Sequence, residues 1–232
     1  MTAEFHPAMH ISTQTILRYH ATAQFFNTHG FLIPPSQKNE FLEDPVALRN
    51  VSTYICDAVF HALKMKEDIT VALPLAPAMI NDADYFTELY QRCRVNSVAP
   101  SRIDIEVSDR LSSAQFFRCL PFLKRAKEYG FTLSLGEYGS GTVHTESRHL
   151  FPFDSVTLAR SVTDGISLAG AKRSLLHRFL DTLTPVGTPI LCAGVDRASD
   201  LALLSQYRHR GIQGHTLSRS LTWTQLQLLE GM

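Results

Sequence analysis

The chain of 232 residues has no excess of either charge: 22 Lys and Arg stand against 22 Asp and Glu. A protein that holds nucleic acid by its phosphates carries surplus positive charge, so direct binding to DNA or RNA is not expected. No apolar run approaches the roughly 20 residues of a membrane-spanning helix. The N-terminal run Met1-Thr2-Ala3-Glu4-Phe5-His6-Pro7 lacks the basic stretch and apolar run of a secretory leader. The four cysteines (Cys56, Cys93, Cys119 and Cys192) include no C-x-x-C pair and no disulfide spacing. Buried free thiols in a reducing cytoplasm are the expectation. No G-x-G-x-x-G follows the first strand and no G-x-S-x-G occurs, so the dinucleotide-binding and serine-hydrolase signatures are missing. His144 and His149 lie close together, but no third ligand has the spacing of a zinc site.

What is present is a globular composition, 44% hydrophobic and 19% charged, long enough to bury a large core as one domain over residues 1–232. Its dominant pattern is alternation. Apolar, β-rich runs occur at 69–75, 102–107, 131–135, 155–158, 189–192 and 211–213, with longer stretches of helical spacing between them. The spacing predicts helices over 50–63 (Val51, Tyr54, Ile55, Ala58, Val59 and Ala62 on one face), 112–129 (Phe116, Phe117, Leu120, Leu123 and Ala126) and 199–207 (Leu201, Leu203 and Leu204). Gly130 and Gly187 fall between helix and strand, where a C-terminal glycine belongs, and Pro100 and Pro185 occupy similar connectors. Phe25-Phe26, Phe116-Phe117 and Trp223 read as core. Repeated strand-then-helix units, preceded by extended segments at 4–9 and 12–19, predict an α/β fold: a (β/α)₈ TIM-like barrel, with an open doubly wound sheet as the alternative. In such a barrel the chemistry sits at the C-terminal ends of the strands.

Those ends carry a resemblance. Glu106-Val107-Ser108-Asp109 resembles E-[IV]-T-E, and Gly136-Glu137-Tyr138-Gly139-Ser140-Gly141 resembles D-D-F-G-x-G. Phe151-Pro152-Phe153-Asp154-Ser155-Val156-Thr157 resembles L-P-x-D-x-[LI]-K. Ala193-Gly194-Val195-Asp196 resembles E-G-V-E, followed by Gln213-Gly214 for Q-G. Near the start, Phe5-His6-Pro7-Ala8 resembles Y-Q-P-I, and Gln14-Thr15-Ile16-Leu17-Arg18 is read on E-A-L-L-R, with a hairpin between Ala8 and Gln14 shorter than usual. Gly30-Phe31-Leu32-Ile33-Pro34-Pro35 resembles G-x-[IL]-x-P. In this order the runs resemble the EAL phosphodiesterase family over nearly the whole chain.

The resemblance implies an EAL-type barrel that hydrolyses cyclic di-GMP with two divalent cations held by oxygen ligands. It also implies that most of those ligands are missing. Gln14 stands for the Glu of the name motif, Pro74 for the Asn after the next strand, Gly136 for the first Asp of D-D-F-G, and Glu137 for the second. Thr157 stands for the Lys, Ala159 for the Asp two residues on, and Ala193 for the Glu of E-G-V-E. Glu106 and Gln213 keep their type, while Asp109 and Asp196 are shortened carboxylates. Glu106 is expected to pair with a neighbouring Arg or Lys. Gly139 and Gly141 are expected to serve a tight turn. Arg18 remains nearly alone to face a phosphate, with Pro34 or Pro35 nearby and His6 in place of the first-strand Gln. No catalysis, no metal or other cofactor, and no tight binding of cyclic di-GMP are therefore expected. The expectation is a cytoplasmic regulator, off the membrane, that works by binding a protein. Its length and lack of sensor domain resemble stand-alone EAL-like proteins that bind the FlhD subunit of the flagellar master activator FlhD–FlhC. A regulator of biofilm, fimbriae or virulence is the other partner class, and a non-catalytic cyclic di-GMP receptor is the alternative function.

Overall fold

The computed structural model describes residues 1–33, 44–76, 79, 82, 84–140, 151–183, 187–207 and 211–230. Pro34, Pro35, Gly141, His144, His149 and Pro185 lie outside the described residues. Eight strands close into a barrel in sequence order: β1 (Thr2–His10), β2 (Ile16–Gln24), β3 (Val71–Pro74), β4 (Ile103–Ser108), β5 (Thr132–Tyr138), β6 (Ser155–Leu158), β7 (Ile190–Ala193) and β8 (Gly211–Gln213). All neighbours pair in parallel except β1, which runs antiparallel to both β2 and β8. The fold is thus the closed barrel rather than the open sheet, with its first unit a hairpin instead of a strand–helix crossover.

The pleat explains why these runs become barrel staves. On β4, Ile103, Ile105 and Val107 turn outward and are at most 1% exposed beneath the helices, while Asp104 and Glu106 turn inward. Each outward aliphatic contributes about 1.5–3 kcal/mol by burial. The helices around the barrel are α1 (Pro45–Met65), α2 (Tyr85–Val95), α3 (Ser113–Glu128), α4 (Arg160–Thr163), α5 (Gly170–Leu183), α6 (Ala198–Leu204) and α7 (Trp223–Glu230). α1 starts five residues before the periodicity suggests. The Asp44 carboxylate accepts from the amides of Val46 and Ala47, and Pro45 opens the first turn. α3 opens on a capping box between Ser112 and Gln115. At its end Gly130 takes φ +89°, the left-handed turn into β5.

Two assigned faces need correction. Phe116, Cys119, Leu123 and Ala126 follow an i, i+3, i+7, i+10 stripe that faces the core, so Phe117, about 100° round the helix, is 56% exposed. Tyr54 is likewise at the edge of the α1 face, its hydroxyl donating to the Met1 carbonyl at 3.2 Å. Trp223 is buried, whereas Phe26 is 41% exposed. All four cysteines are buried and unbridged. Among the described residues no helix is long and apolar enough to cross a membrane.

Candidate functional site

The β1–β2 hairpin decides what faces the strand ends. Its ladder runs from Thr2 opposite Gln24 through His6 opposite His20 to Ala8 opposite Arg18, and the chain turns where the His10 amide donates to the Thr15 carbonyl at 2.8 Å. Gln14 sits in that turn at φ +55°. Because β2 runs parallel to β3–β8, the turn lies at their N-terminal ends. Gln14 is therefore at the wrong mouth of the barrel for the role assigned to it. The β2 side chain that reaches the level of Glu106 is His20, six positions on, followed by Ala21 and Thr22. The reading of E-A-L-L-R on residues 14–18 is corrected accordingly.

Arg18 does not face a phosphate site. It is 5% exposed and points into the barrel, where a polar cluster surrounds it. One terminal nitrogen donates to Asp104 and to Ser134 Oγ (3.0 Å). The other donates to Glu106 Oε2 (2.7 Å) and Thr157 Oγ1 (2.8 Å). Four strands thus supply one hydrogen-bonded layer in which the planar guanidinium meets two carboxylates and two hydroxyls. His20 Nε2 lies 3.1 Å from Glu106 Oε1, so both carboxylate oxygens of Glu106 are engaged. Burial acts to raise the Glu106 carboxyl, but His20 and Arg18 outweigh it and hold it at about 2. At Asp104 burial dominates, and the carboxyl is raised in spite of Arg18.

The remaining assigned positions are brought to the C-terminal mouth. Pro74 ends β3 beside Glu106 in the ladder. Gly136 ends the β4–β5 ladder opposite Ser108, and a Cβ there would lie 2.6 Å from Glu106 Oε1 and 2.7 Å from its Cγ. Glu137 is in the left-handed region at φ +54°, held by a hydrogen bond from Ser108 Oγ (2.8 Å) and by Arg110. Asp109 accepts from the Gly139 amide at 3.1 Å, and Gly139 itself turns at φ +88°. Thr157 is turned inward to Arg18, and Ala159 caps α4. Ala193 ends β7, its carbonyl accepting from Thr163 Oγ1, and Gln213 is buried at the end of β8. Asp196 accepts from the His215 amide (2.8 Å) and from Nδ1 (3.0 Å), and pairs with Arg160. Burial acts to raise this carboxyl, and His215 and Arg160 overcome it, holding it below the usual range. His6 donates from Nε2 to the Ser218 carbonyl at 3.0 Å, and its ring lies 5.6 Å from that of His215; burial lowers its pKa.

Sequence reasoning missed His20, Asp104, Ser134, Arg160 and His215. The alternation on β4 could have marked Asp104 as inward, but its charged partner Arg18 lies 86 residues away.

The donor set does not fit two divalent cations. Of the strand ends that would surround Glu106, Pro74, Gly136, Thr157 and Ala193 offer no carboxylate, and Glu106 already faces Arg18 and His20. Among the described residues no group of three His, Cys, Asp or Glu side chains is placed to hold a metal ion.

A closed eight-stranded barrel whose first strand runs antiparallel to both neighbours, with polar residues gathered at the strand ends, is a variant of the (β/α)₈ barrel. The chain belongs to the EAL domain family, whose model matches residues 1–220. It is similar to the cyclic di-GMP phosphodiesterase NbdA of Pseudomonas aeruginosa, 20% identical over 69% of this chain and 21% of that protein. It is also similar to the blue light- and temperature-regulated antirepressor BluF of Escherichia coli, 17% identical over 82% of this chain and 47% of that one. Each relative is more than twice the length this chain spans. The solved structure of the PaMucR phosphodiesterase in complex with c-di-GMP superposes with a TM-score of 0.89 at 15% identity, covering 97% of this chain and 93% of that one.

Proposed function

We propose that the chain is a non-catalytic EAL domain that regulates by binding another protein. The observation that carries this is the state of Glu106. A metal-dependent phosphodiesterase needs several uncommitted carboxylates around its cations. Here both carboxylate oxygens of the surviving Glu106 are taken up, one by Arg18 and one by His20, and the strand ends around it carry Pro74, Gly136, Thr157 and Ala193. Arg18, bound within the barrel, has no terminal nitrogen to spare for a nucleotide phosphate. A family relative named as an antirepressor supports a role in transcription through protein contact. Zero formal net charge supports a protein rather than DNA as the target.

The partner proposed is the FlhD subunit of the flagellar activator FlhD–FlhC, on the resemblance of the chain's altered motifs to regulators of that activator. Docking over about 1,200–2,000 Å² would occlude the surface FlhD uses at DNA. Purified protein with Mg²⁺ or Mn²⁺ is expected to leave cyclic di-GMP intact; linear product in proportion to protein would end the non-catalytic reading. Overexpression is expected to lower swimming motility at constant cyclic di-GMP, with FlhD recovered on the tagged protein. Unchanged motility would reject FlhD, and low-micromolar 1:1 binding of cyclic di-GMP by calorimetry would favour a receptor instead.

A further inference from the structure

We infer that the outer face of α3 docks an acidic amphipathic helix of a partner protein, one that carries carboxylates two turns apart beside an apolar side chain. The inference rests on the reading of the domain as a protein-binding regulator and assigns the surface it uses. The stripe of α3 that faces the core leaves Lys124, Phe117, Pro121, Arg125 and Arg118, in that order round the helix, on an outward arc of about 120°. All five are exposed. The apolar pair Phe117 and Pro121 thus lies between Lys124 on one side and the two arginines on the other.

The chemistry of the partner follows from the charges. α3 carries the cations Arg118, Lys124, Arg125 and Lys127 against a single acid, Glu128, in its last turn. Lys127 is paired with Asp154, as Arg92 of α2 is with Asp57 and Arg110 with Glu137. Arg118, Lys124 and Arg125 have no ion-pair partner among the described residues. Carboxylates are therefore the complement this face lacks. Arg118 and Arg125 stand two turns apart, about 10 Å along the axis, so carboxylates two turns apart on a helix laid alongside reach both guanidiniums. Phe117, 56% exposed, offers the aromatic seat for the apolar side chain between them. Pro121 marks the same face. It stands inside the helix, where it has no N–H to give the Phe117 carbonyl one turn before and weakens the helix. Its ring points outward, so packing on the barrel does not call for it, whereas a docking face gains a rigid apolar contact. With zero formal net charge on the whole chain, the positive field is confined to this arc, which suits an acidic protein segment rather than a nucleic acid.

The test titrates the full chain into a fluorescein-labelled helical peptide with Glu residues two turns apart around a central Leu-Phe pair, followed by fluorescence anisotropy. Saturation with a Kd below about 100 μM is expected. The same peptide with Gln for Glu should bind at least about tenfold more weakly. Arg118→Gln combined with Arg125→Gln should weaken the acidic peptide by about tenfold or more, and Phe117→Ser by about fivefold or more. Arg178→Gln, which removes an exposed cation on α5, should leave it unchanged. Absence of saturation, equal affinity for the Gln peptide, unaltered affinity in the α3 variants, or a loss in Arg178→Gln would each overturn the inference. Tighter binding of an oligouridylate or of phosphatidylserine vesicles would overturn it too, in favour of a nucleic acid or a membrane. If a variant does not fold, the NMR signals of Phe117 and Arg125 in the unmodified chain decide, and their constancy on adding peptide rejects the surface. Repression of motility retained by the doubly substituted chain would overturn the surface and leave the protein-binding reading in place. A chain that binds the peptide but leaves motility unchanged supports the surface and counts against FlhD alone.

Discussion

Replacing Arg18 with methionine keeps most of the side chain's volume and removes its charge. Two carboxylates then lose their shared counter-ion inside the barrel: Asp104, 3% exposed, and Glu106, whose side chain is 11% exposed. Removing one partner of a buried ion pair costs about 3–5 kcal/mol, because the charge left behind is neither solvated nor paired. For a chain of this length that corresponds to a fall in Tm of about 6–20 °C at pH 7. The sign of the pH dependence makes the test sharper. In the unmodified protein Glu106 is depressed from 4.5 to about 2, so its stabilisation is present above pH 4.5 and lost as pH falls toward 2. At 1.36 kcal/mol per pH unit this is about 3 kcal/mol. Asp104 is raised, so its contribution runs the other way, present at low pH and lost as pH rises through its folded pKa. Without Arg18 burial is less opposed at both carboxyls, and both are expected to move up. The deficit of Arg18→Met should therefore shrink between pH 7 and pH 5 as the buried carboxyls accept protons. Thermal unfolding followed by circular dichroism at the two pH values measures it. A Tm within 2 °C of the unmodified protein at pH 7, or a deficit that grows on acidification, would refute the view that Arg18 is the counter-ion of the barrel interior.

The absence of a side chain at Gly136 is tied to Glu106. Gly136→Ala places a Cβ within 2.6 Å of Oε1 and should destabilise by about 1–3 kcal/mol in urea unfolding; Gly136→Asp should do the same and give no turnover of cyclic di-GMP. Asp200 is fully buried, and its carboxylate accepts from the amides of Gly165 and Ser167, each at 2.8 Å. Asp200→Ala strands both donors at a cost of about 1–3 kcal/mol each at most, and hydrogen exchange at these two amides should accelerate more than at Leu133 in β5.

The strand-end residues of β3 to β8 were readable from one sequence because each sits at the end of a short apolar run followed by a polar or glycine-rich turn. Glu106, Asp109, Gly136, Thr157, Ala193 and Gln213 all lie at or near the strand ends this pattern marks. The hairpin was not readable in the same way. Residues 9–24 alternate with period two over more than one stretch, and such a pattern states which face a side chain takes but not where the turn falls. A local likeness therefore placed the name motif in the turn at Gln14. Only the ladder, with His6 opposite His20, shows that His20 reaches the site.

The sequence by itself determined the class of fold, through alternation of apolar strands and amphipathic helices, and the poverty of carboxylates at the strand ends. What only the tertiary structure decided is where the buried Arg18 goes. Arg18 meets Asp104, Glu106, Ser134 and Thr157 across separations of 86 to 139 residues. No local pattern encodes that meeting; it exists because closing the barrel turns the inward faces of β2, β4, β5 and β6 onto one small volume, where a buried carboxylate must find its counter-charge.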